Sequence, residues 1–212
     1  MSLTTSFQTA ELTAPTAELR SAFAEMRREI EVMRRREEIR EAELRRLSAE
    51  FEQAGRLQRQ LIAGPLPSVK GAELSAFAHP ADSISGDFHH ARRISANAVA
   101  LVVADSTGHG LAAGLLSATV MGSMHAQEES ADSTLSDPAG VLARLHRSLL
   151  SYSLDDCEFV TAVYAVYNEA ARRLRWSRAG APPPILLRRG ARARRLDSAG
   201  LPLGVDAEAA FS

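Results

Sequence analysis

Apolar residues recur with an alternating four- and three-residue spacing along the first third of the chain. They begin at Leu19 and continue to Leu61, and glutamate and arginine in near balance fill most of the intervening positions, with no proline in the run. This pattern predicts a long α-helix with a narrow apolar stripe. The large apolar members of the stripe are Leu19, Phe23, Met26, Ile30, Met33, Leu44, Leu47, Phe51 and Leu61, and Ala54 and Gln58 continue it.

A stripe this narrow favours a partner helix, so we interpret residues 17–63 as a dimerisation and signalling helix that forms a homodimeric coiled coil, with parallel pairing favoured. Glu37 and Arg40 interrupt the seam. Polar seam positions weaken a coiled coil while fixing its register. We therefore hypothesise that the paired helices change register at Glu37 and Arg40 to transmit a signal. A single amphipathic helix lying on its own domain is the alternative. Residues 1–16 are predicted to be disordered.

The pattern changes after Gly64-Pro65-Leu66-Pro67, which ends the helix because two prolines cannot sit inside it. Two later segments, 98–104 and 159–167, are apolar on both faces and have to be covered above and below. Short turns favour antiparallel pairing, so residues 64–212 predict an α+β domain with an αββα layering of two antiparallel sheets flanked by helices. The predicted strands are about 72–79, 84–94, 98–105, 158–168, 172–178, 183–189 and 192–197, and the predicted helices are about 110–127 and 137–151.

Composition limits the functional classes. A chain of 212 residues that is 45% hydrophobic can hold one domain plus an appendage. The formal net charge of −1 argues against general attraction to nucleic acid. One cysteine, Cys157, excludes an intramolecular disulfide and a multi-cysteine metal site. No apolar run approaches the roughly 18 residues of a membrane span, so we expect a cytoplasmic protein without direct membrane insertion.

The candidate chemistry starts where an apolar strand runs into Asp105, followed by a turn in which glycines flank His109. A helix N-cap or turn acid is the plainest explanation for such an aspartate. A dinucleotide-binding loop fits poorly, because Asp105 would repel a pyrophosphate and no second strand follows the helix. The sequence also has no Walker loop and no Gly-x-Ser-x-Gly elbow.

A hard-metal site is the third explanation for Asp105. Mg²⁺ and Mn²⁺ prefer carboxylate oxygens, backbone carbonyls and water, and Asp105 with the carbonyl of Ser106 offers the first two. Asp87 supplies a second carboxylate in an apolar strand, next to Gly86, where a ligand or neighbour can approach the backbone closely. If the two strands pair as a hairpin, both carboxylates meet at one end of the sheet.

Taken together, these motifs resemble the SpoIIE-like branch of the PPM metal-dependent protein serine/threonine phosphatases. The resemblance runs from about residue 57 to 205. It rests on Ser-Gly-Asp at 85–87, Asp-Ser-Thr-Gly-His-Gly at 105–110, Arg-Ala-Gly-Ala-Pro-Pro-Pro at 178–184 and Gly-Leu-Pro-Leu-Gly at 200–204.

The resemblance implies two Mn²⁺ or Mg²⁺ ions in a cleft between the sheets. Asp105 would bridge both ions, the Ser106 carbonyl would bind one, and Asp87 would hold the other. The implied substrate is phosphoserine or phosphothreonine on a regulatory protein such as an anti-sigma-factor antagonist, with control through the dimeric helix. The residues expected near the substrate phosphate are Gly86, Gly108, His109 and Gly110.

The sequence also departs from the family pattern. The family completes its metal cluster with later aspartates, one of them in an Asp-Gly pair, and this sequence contains no Asp-Gly pair. We therefore expect a C-terminally incomplete domain that binds metal weakly. The alternative function is a catalytically silent dimeric signalling or scaffold module that keeps the fold for partner binding. His89, His125 and His146 show no metal-ligand spacing and receive no role.

Overall fold

A computed structural model describes residues 14–62, 64–80, 82–129, 133–152 and 158–212. Most of the segment predicted to be disordered, and Cys157, lie outside these ranges. The chain divides into two compact units, residues 1–50 and 51–212.

Helix α1 (Ala14–Ile62) makes up the described part of the first unit. Its last turns, from Phe51 onward, belong to the second unit. Ion pairs such as Arg45–Glu41 at 3.4 Å join positions four apart on its surface and stabilise it little. The predicted apolar stripe is exposed in the single chain, since Ile30 is 53% exposed and Met33 67%. Its apolar surface is therefore free to pack against another helix.

The second unit is built on a four-stranded antiparallel sheet in chain order, confirming the predicted α+β class. The strands are β1 (Phe88–Ser95), β2 (Ala98–Ser106), β3 (Val160–Asn168) and β4 (Arg173–Ala179). Between β2 and β3 lie α2 (Gly110–Glu129), a 3₁₀ turn (Ser133–Ser136) and α3 (Pro138–Leu150). A small second antiparallel sheet pairs β5 (Ile185–Leu186) with β6 (Arg194–Arg195).

Side chains alternate along each strand and give the main sheet two different faces. On the covered face, Phe88, Val102 and Tyr164 are buried in one core with residues of α2 and α3, among them Met121 and Leu145. We therefore place both helices on this side. The predicted cover over these strands is confirmed on this face.

The other face of the sheet is covered unevenly. Val99 is fully buried on it, whereas Val103, four residues further along β2, is 63% exposed. Asp87 and Asp105 are exposed at the same end of the sheet as Val103. An open surface therefore adjoins the two candidate site aspartates.

Four of the predicted strands need correction, and the one at 84–94 begins at Phe88, after Asp87. Residues 73–80 contain no strand: within the predicted segment 72–79 only Ala72 pairs, in an isolated bridge with Val69, and Phe77 is 89% exposed. The predicted strands at 183–189 and 192–197 shrink to two residues each. Pro182, Pro183 and Pro184 cannot donate to a strand ladder and delay the first of them.

Both predicted helices of the second unit are confirmed. Pro138 occupies the first turn of α3 after Asp137, as predicted, although the Asp137 side chain makes no capping hydrogen bond. Over the residues that the structure describes, no helix has both the length and the apolar character needed to cross a membrane.

Candidate active site

The β1–β2 hairpin brings Asp87 and Asp105 together. Phe88 pairs with Ala104, and the Ser106 N–H donates to the Gly86 carbonyl at 3.3 Å, so Asp87 lies directly opposite Asp105. Gly86 and Ser106 form a hydrogen-bonded pair of the ladder. Hydrogen-bonded and non-hydrogen-bonded pairs alternate along antiparallel strands, so the two aspartates form a non-hydrogen-bonded pair. The Cα atoms of such a pair are about 4.5 Å apart and its side chains are close. The predicted meeting of the two carboxylates at one end of the sheet is therefore observed.

The aspartate pair has no counter-charge among the residues that the structure describes. Partial burial raises the pKa of Asp105 above its usual range, and the charge of Asp87 and a hydrogen-bonding interaction with it raise it further. Within the described residues, no ion pair links a basic side chain to either aspartate. Like charges placed opposite each other on neighbouring strands are destabilising, and a cation relieves that repulsion. The pair therefore fits a hard divalent cation.

Gly86 makes this strand end possible. A Cβ atom at Gly86 would lie 2.8 Å from the Ser106 carbonyl oxygen and 3.2 Å from the Ala113 Cβ, so a side chain there would push the two strands and α2 apart. The Ser106 side chain is buried on the covered face, where its hydroxyl lies 3.1 Å from that of Ser117. The carbonyl of Ser106 thus packs against Gly86, next to both aspartates, and its role as a metal ligand stays a prediction.

A buried polar network fixes the backbone just before Asp87. The Gln58 side chain donates to the Ser85 carbonyl at 2.7 Å and to the Gly114 carbonyl at 3.1 Å, and it accepts from the Ser85 N–H at 3.0 Å. The Ser117 hydroxyl donates to the Gly86 carbonyl at 2.6 Å. Both backbone groups of Ser85 are therefore bonded by one side chain of α1.

The sequence pattern does not reveal this network, and it predicts Gln58 on the coiled-coil seam. That placement is wrong, because Gln58 is only 8% exposed within the unit of residues 51–212. The neighbouring Gly55 packs equally closely, since a Cβ there would clash with the Ser83 carbonyl. Gln58 on the stripe and Gly55 beside it were the available signal that this end of α1 packs against its own domain instead of a second helix.

The turn after Asp105 has the conformation that its glycines suggest. Gly108 and Gly110 have φ values of 84° and 71°, in the left-handed region that favours glycine. The hydroxyl of Thr107 donates to the Phe159 carbonyl at 3.1 Å and accepts from the Phe159 N–H at 3.0 Å, which anchors the turn to the start of β3. His109 is exposed between the glycines. The turn is therefore fixed at its base and open at its tip.

A cavity of about 640 Å³ adjoins the aspartate pair. Asp87, His89 and Val103 form its sheet side, and Arg59 and residues 75–80 lie across from them. The segment that was wrongly predicted as a strand thus forms a wall of this cavity. The cavity offers a mainly apolar surface with a carboxylate at its edge.

An antiparallel α+β domain with opposed aspartates at a strand end is the arrangement of a metal-dependent phosphatase of the PP2C type. The family model of Stage II sporulation protein E (SpoIIE) matches residues 95–212, more than half of the chain. The chain belongs to this family. The resemblance drawn from the sequence motifs is therefore confirmed, and phosphatases of this type use Mn²⁺ or Mg²⁺.

Two relatives from Bacillus subtilis (strain 168) match most of the second unit. Phosphoserine phosphatase RsbU is 27% identical over 137 residues, which are 65% of this chain and 39% of RsbU. Phosphoserine phosphatase RsbP is 24% identical over 139 residues, which are 64% of this chain and 33% of RsbP. The chain therefore spans well under half the length of these relatives.

Solved structures support the fold. The SiaA-PP2C domain of Pseudomonas aeruginosa superimposes with a TM-score of 0.60 at 20% identity, covering 81% of this chain and 67% of that domain. The RsbU and RsbW domains of Rv1364c from Mycobacterium tuberculosis give a TM-score of 0.50 at 21% identity, covering 68% of this chain and 37% of that one. At these identities the likeness concerns the fold alone.

Proposed function

We propose that this chain is a Mn²⁺- or Mg²⁺-dependent protein phosphatase that hydrolyses phosphoserine or phosphothreonine on a regulatory protein of the anti-sigma-factor antagonist type. The observation that carries the proposal is the uncompensated pair formed by Asp87 and Asp105 beside an open cavity. Membership in the SpoIIE family supports phosphoester hydrolysis. The similarity to two phosphoserine phosphatases supports the substrate class.

The residues of the site have separable tasks in this proposal. Asp87 and Asp105 would hold the ions, and the Ser106 carbonyl would supply a further oxygen ligand. When bound, Mn²⁺ or Mg²⁺ stabilises negative charge on phosphate oxygens and lowers the pKa of a bound water. Gly86 keeps side-chain bulk away from the aspartates. Gly108, His109 and Gly110 leave the approach to Asp105 open for the phosphorylated residue.

We further propose that a homodimeric α1 controls this site. The stripe from Leu19 to Phe51 is exposed in the single chain, with Phe23 at 56% and Leu44 at 56%. Burying such a stripe against a second copy removes apolar surface from water, at roughly 25 cal/mol per Å². Gln58, on the same continuous helix, bonds the backbone of Ser85, two residues before Asp87. A shift of α1 would therefore act directly on the segment that positions Asp87.

Hydrolysis of p-nitrophenyl phosphate with added Mn²⁺ tests the activity. We expect activity that a chelator removes and that Asp105→Asn lowers by at least about a hundredfold, because loss of a main charge-stabilising group typically costs that much. Asp197→Asn, a change at an exposed acid in another part of the same unit, is the matched control and should keep the parent rate. Equal rates for the parent and Asp105→Asn would refute the proposed site.

A second candidate function is a catalytically silent dimeric module that retains the phosphatase fold for partner binding. The absence of any Asp-Gly pair in the sequence favours it, since few carboxylates hold a hard cation weakly. A parent protein with no Mn²⁺-dependent hydrolysis, but with retained binding of Mn²⁺ to the folded chain, would support this function over catalysis.

Cysteine cross-linking tests the dimer. In a Cys157→Ser background, Ile30→Cys should form a disulfide-linked dimer under mild oxidation, because seam residues of a parallel coiled coil meet their own counterparts. Val32→Cys is the matched control, since Val32 is equally exposed at 52% but lies off the stripe. Equal cross-linking at the two positions would argue against a specific seam.

A further inference from the structure

Three potential metal ligands meet on the covered side of the sheet, where no role was expected from the sequence. His90 comes from β1, and His125 and Glu128 come from the last turns of α2. One ligand atom from each of the three lies within 4.8 Å of the other two. Because His125 and Glu128 are three positions apart on a helix, they project from the same face.

The distances within this cluster approach those of a coordinated ion. The His90 Nε2 atom lies 3.2 Å from the Glu128 Oε1 atom. Two ligand atoms bound at about 2.1 Å to one tetrahedral zinc ion are about 3.4 Å apart, so this pair already has the required separation. The His90 and His125 rings meet edge to face with centroids 5.4 Å apart. The His125 ligand atom lies within 4.8 Å of the other two and would move closer to them on binding an ion.

The surroundings of Glu128 also suit a metal ligand. Its side chain is only 4% exposed, and the neighbouring Arg92 guanidinium favours the ionised carboxylate. Arg92 donates to Oε2 at 2.6 Å and leaves Oε1 directed at the histidines.

We propose that His90, His125 and Glu128 form a second divalent-metal site, specific for Zn²⁺ or a similar transition metal, that ties β1 to the end of α2. Two imidazoles and one carboxylate with an open fourth position are a typical zinc ligand set, whereas Mn²⁺ and Mg²⁺ prefer oxygen ligands. The site is separate from the aspartate pair, because His90 and Asp87 are three positions apart and strand alternation puts them on opposite faces. It does not depend on the proposed phosphatase activity.

Occupancy of this site would link two elements that adjoin the aspartates in the chain. Asp87 immediately precedes β1, and the turn after Asp105 leads into α2. A metal that binds the folded chain and not the unfolded chain raises the melting temperature in proportion to the logarithm of its concentration over Kd. Zn²⁺ would therefore stiffen the hairpin–helix unit without entering the candidate active site.

Titration of the full chain with Co²⁺, read by visible absorption, tests the site. The background is the double variant Asp87→Asn with Asp105→Asn, which removes the aspartate site. We expect an intense tetrahedral Co²⁺ spectrum at one ion per chain that Zn²⁺ displaces. His125→Ala and Glu128→Gln should each weaken binding at least tenfold. His89→Ala, a change on the opposite face of β1, is the matched control and should bind within about twofold of its parent.

Arg92→Gln separates a metal site from a simple ion pair. Removing the guanidinium removes a like charge near the ion, so Co²⁺ and Zn²⁺ should bind several-fold more tightly. Circular dichroism confirms folding of each variant, and a Zn²⁺-dependent rise in melting temperature that His90→Gln abolishes gives an independent readout. Absence of a tetrahedral spectrum, or binding that is unchanged in both His125→Ala and His90→Gln, would overturn the proposal and leave Glu128 as an ion-pair residue only.

Discussion

The first strand of the sheet, β1, adjoins a polar cluster on each face, and the two clusters balance their charges differently. On the open face, Asp105 stands opposite Asp87, and the pKa of Asp105 is raised by burial and by its neighbour. On the covered face, Glu128 is bonded by His90 and Arg92, and its pKa is lowered despite burial. Among the described residues, Glu128 therefore has His90 and Arg92 as partners, whereas Asp87 and Asp105 have no basic partner.

This difference sets apart a carboxylate that is stabilised without a metal from a carboxylate pair that is not. A buried carboxylate with two hydrogen-bonded partners contributes to folding, and its neighbours are arranged to keep it ionised. Two opposed carboxylates with no basic partner among the described residues cost folding free energy, and folding alone gives no reason to keep them. The open face therefore needs an external cation to relieve its repulsion, whereas the covered-face cluster is stable with or without one, and the following changes test the contrast.

The largest effect is expected for Gly86→Ala. The new Cβ would lie 2.8 Å from a backbone oxygen that cannot move alone, so Asp87 and Ser106 would be displaced. We expect a loss of about 1–3 kcal/mol in unfolding free energy and loss of Mn²⁺ binding. Chemical denaturation and calorimetry measure the two effects. Gly122→Ala has open space around its Cβ and should be neutral or stabilising by up to about 1 kcal/mol.

Glu128→Gln should lower the unfolding free energy in chelator at pH 7 by about 1–3 kcal/mol, because two bonded partners lose an ionised acceptor. Since the folded-state pKa is below the ordinary 4.5, this contribution is present above pH 4.5 and disappears as the pH falls through the folded value. Urea denaturation at pH 7 and pH 4 should therefore show a difference between parent and variant that shrinks in acid. Glu73→Gln, at an exposed position, should show little difference at either pH.

Ser117→Ala tests whether a hydrogen bond on the covered face helps to position the aspartates on the open face. The Ser117 hydroxyl is fully buried and donates to the Gly86 carbonyl, which is left without that bond in the variant. We expect a cost of about 1 kcal/mol in thermal or urea unfolding. Thr119→Ala removes a less buried hydroxyl that bonds only within α2, and it should cost less than about half as much. Equal costs would mean that the contact with Gly86 has no special weight.

The smallest effect on stability, with opposite sign, is expected for Asp87→Asn. In chelator the change removes the repulsion with Asp105 and should raise the melting temperature by about 1–2 °C. With Mn²⁺ present the order should reverse, because only the parent gains stability from binding. Differential scanning fluorimetry with and without Mn²⁺ measures both. A lower melting temperature for the variant in chelator would contradict the view that the pair is uncompensated.

Features set by local pattern could be predicted from the sequence. The prolines after Ile62 ended α1 where expected, and the hairpin on which the meeting of Asp87 and Asp105 depended is present. The glycines flanking His109 correctly indicated an open turn. In each case neighbouring residues alone determine the result. The seam of α1 and the metal roles of the site residues stay predictions.

Features set by contact between distant segments could not be predicted in the same way. The alternating pattern at 72–79 resembles a strand, but a strand needs a neighbour with free backbone groups. Gln58 fits a helical stripe, and nothing in its periodicity reveals that Ser85 and Gly114 will meet it. His125 and Glu128 show helical spacing, yet their third partner, His90, comes from a strand 35 positions earlier.

Asp87 and His90 are three positions apart, and this odd spacing limits insertions and deletions between them. Side chains swap sides with every residue of a strand, so a one-codon insertion or deletion between these two positions would direct both toward the same layer. Either the aspartate would enter the packed interior or the histidine would leave it. Substitutions can be tolerated in this short interval, but we expect its length to be fixed in any descendant that keeps both clusters.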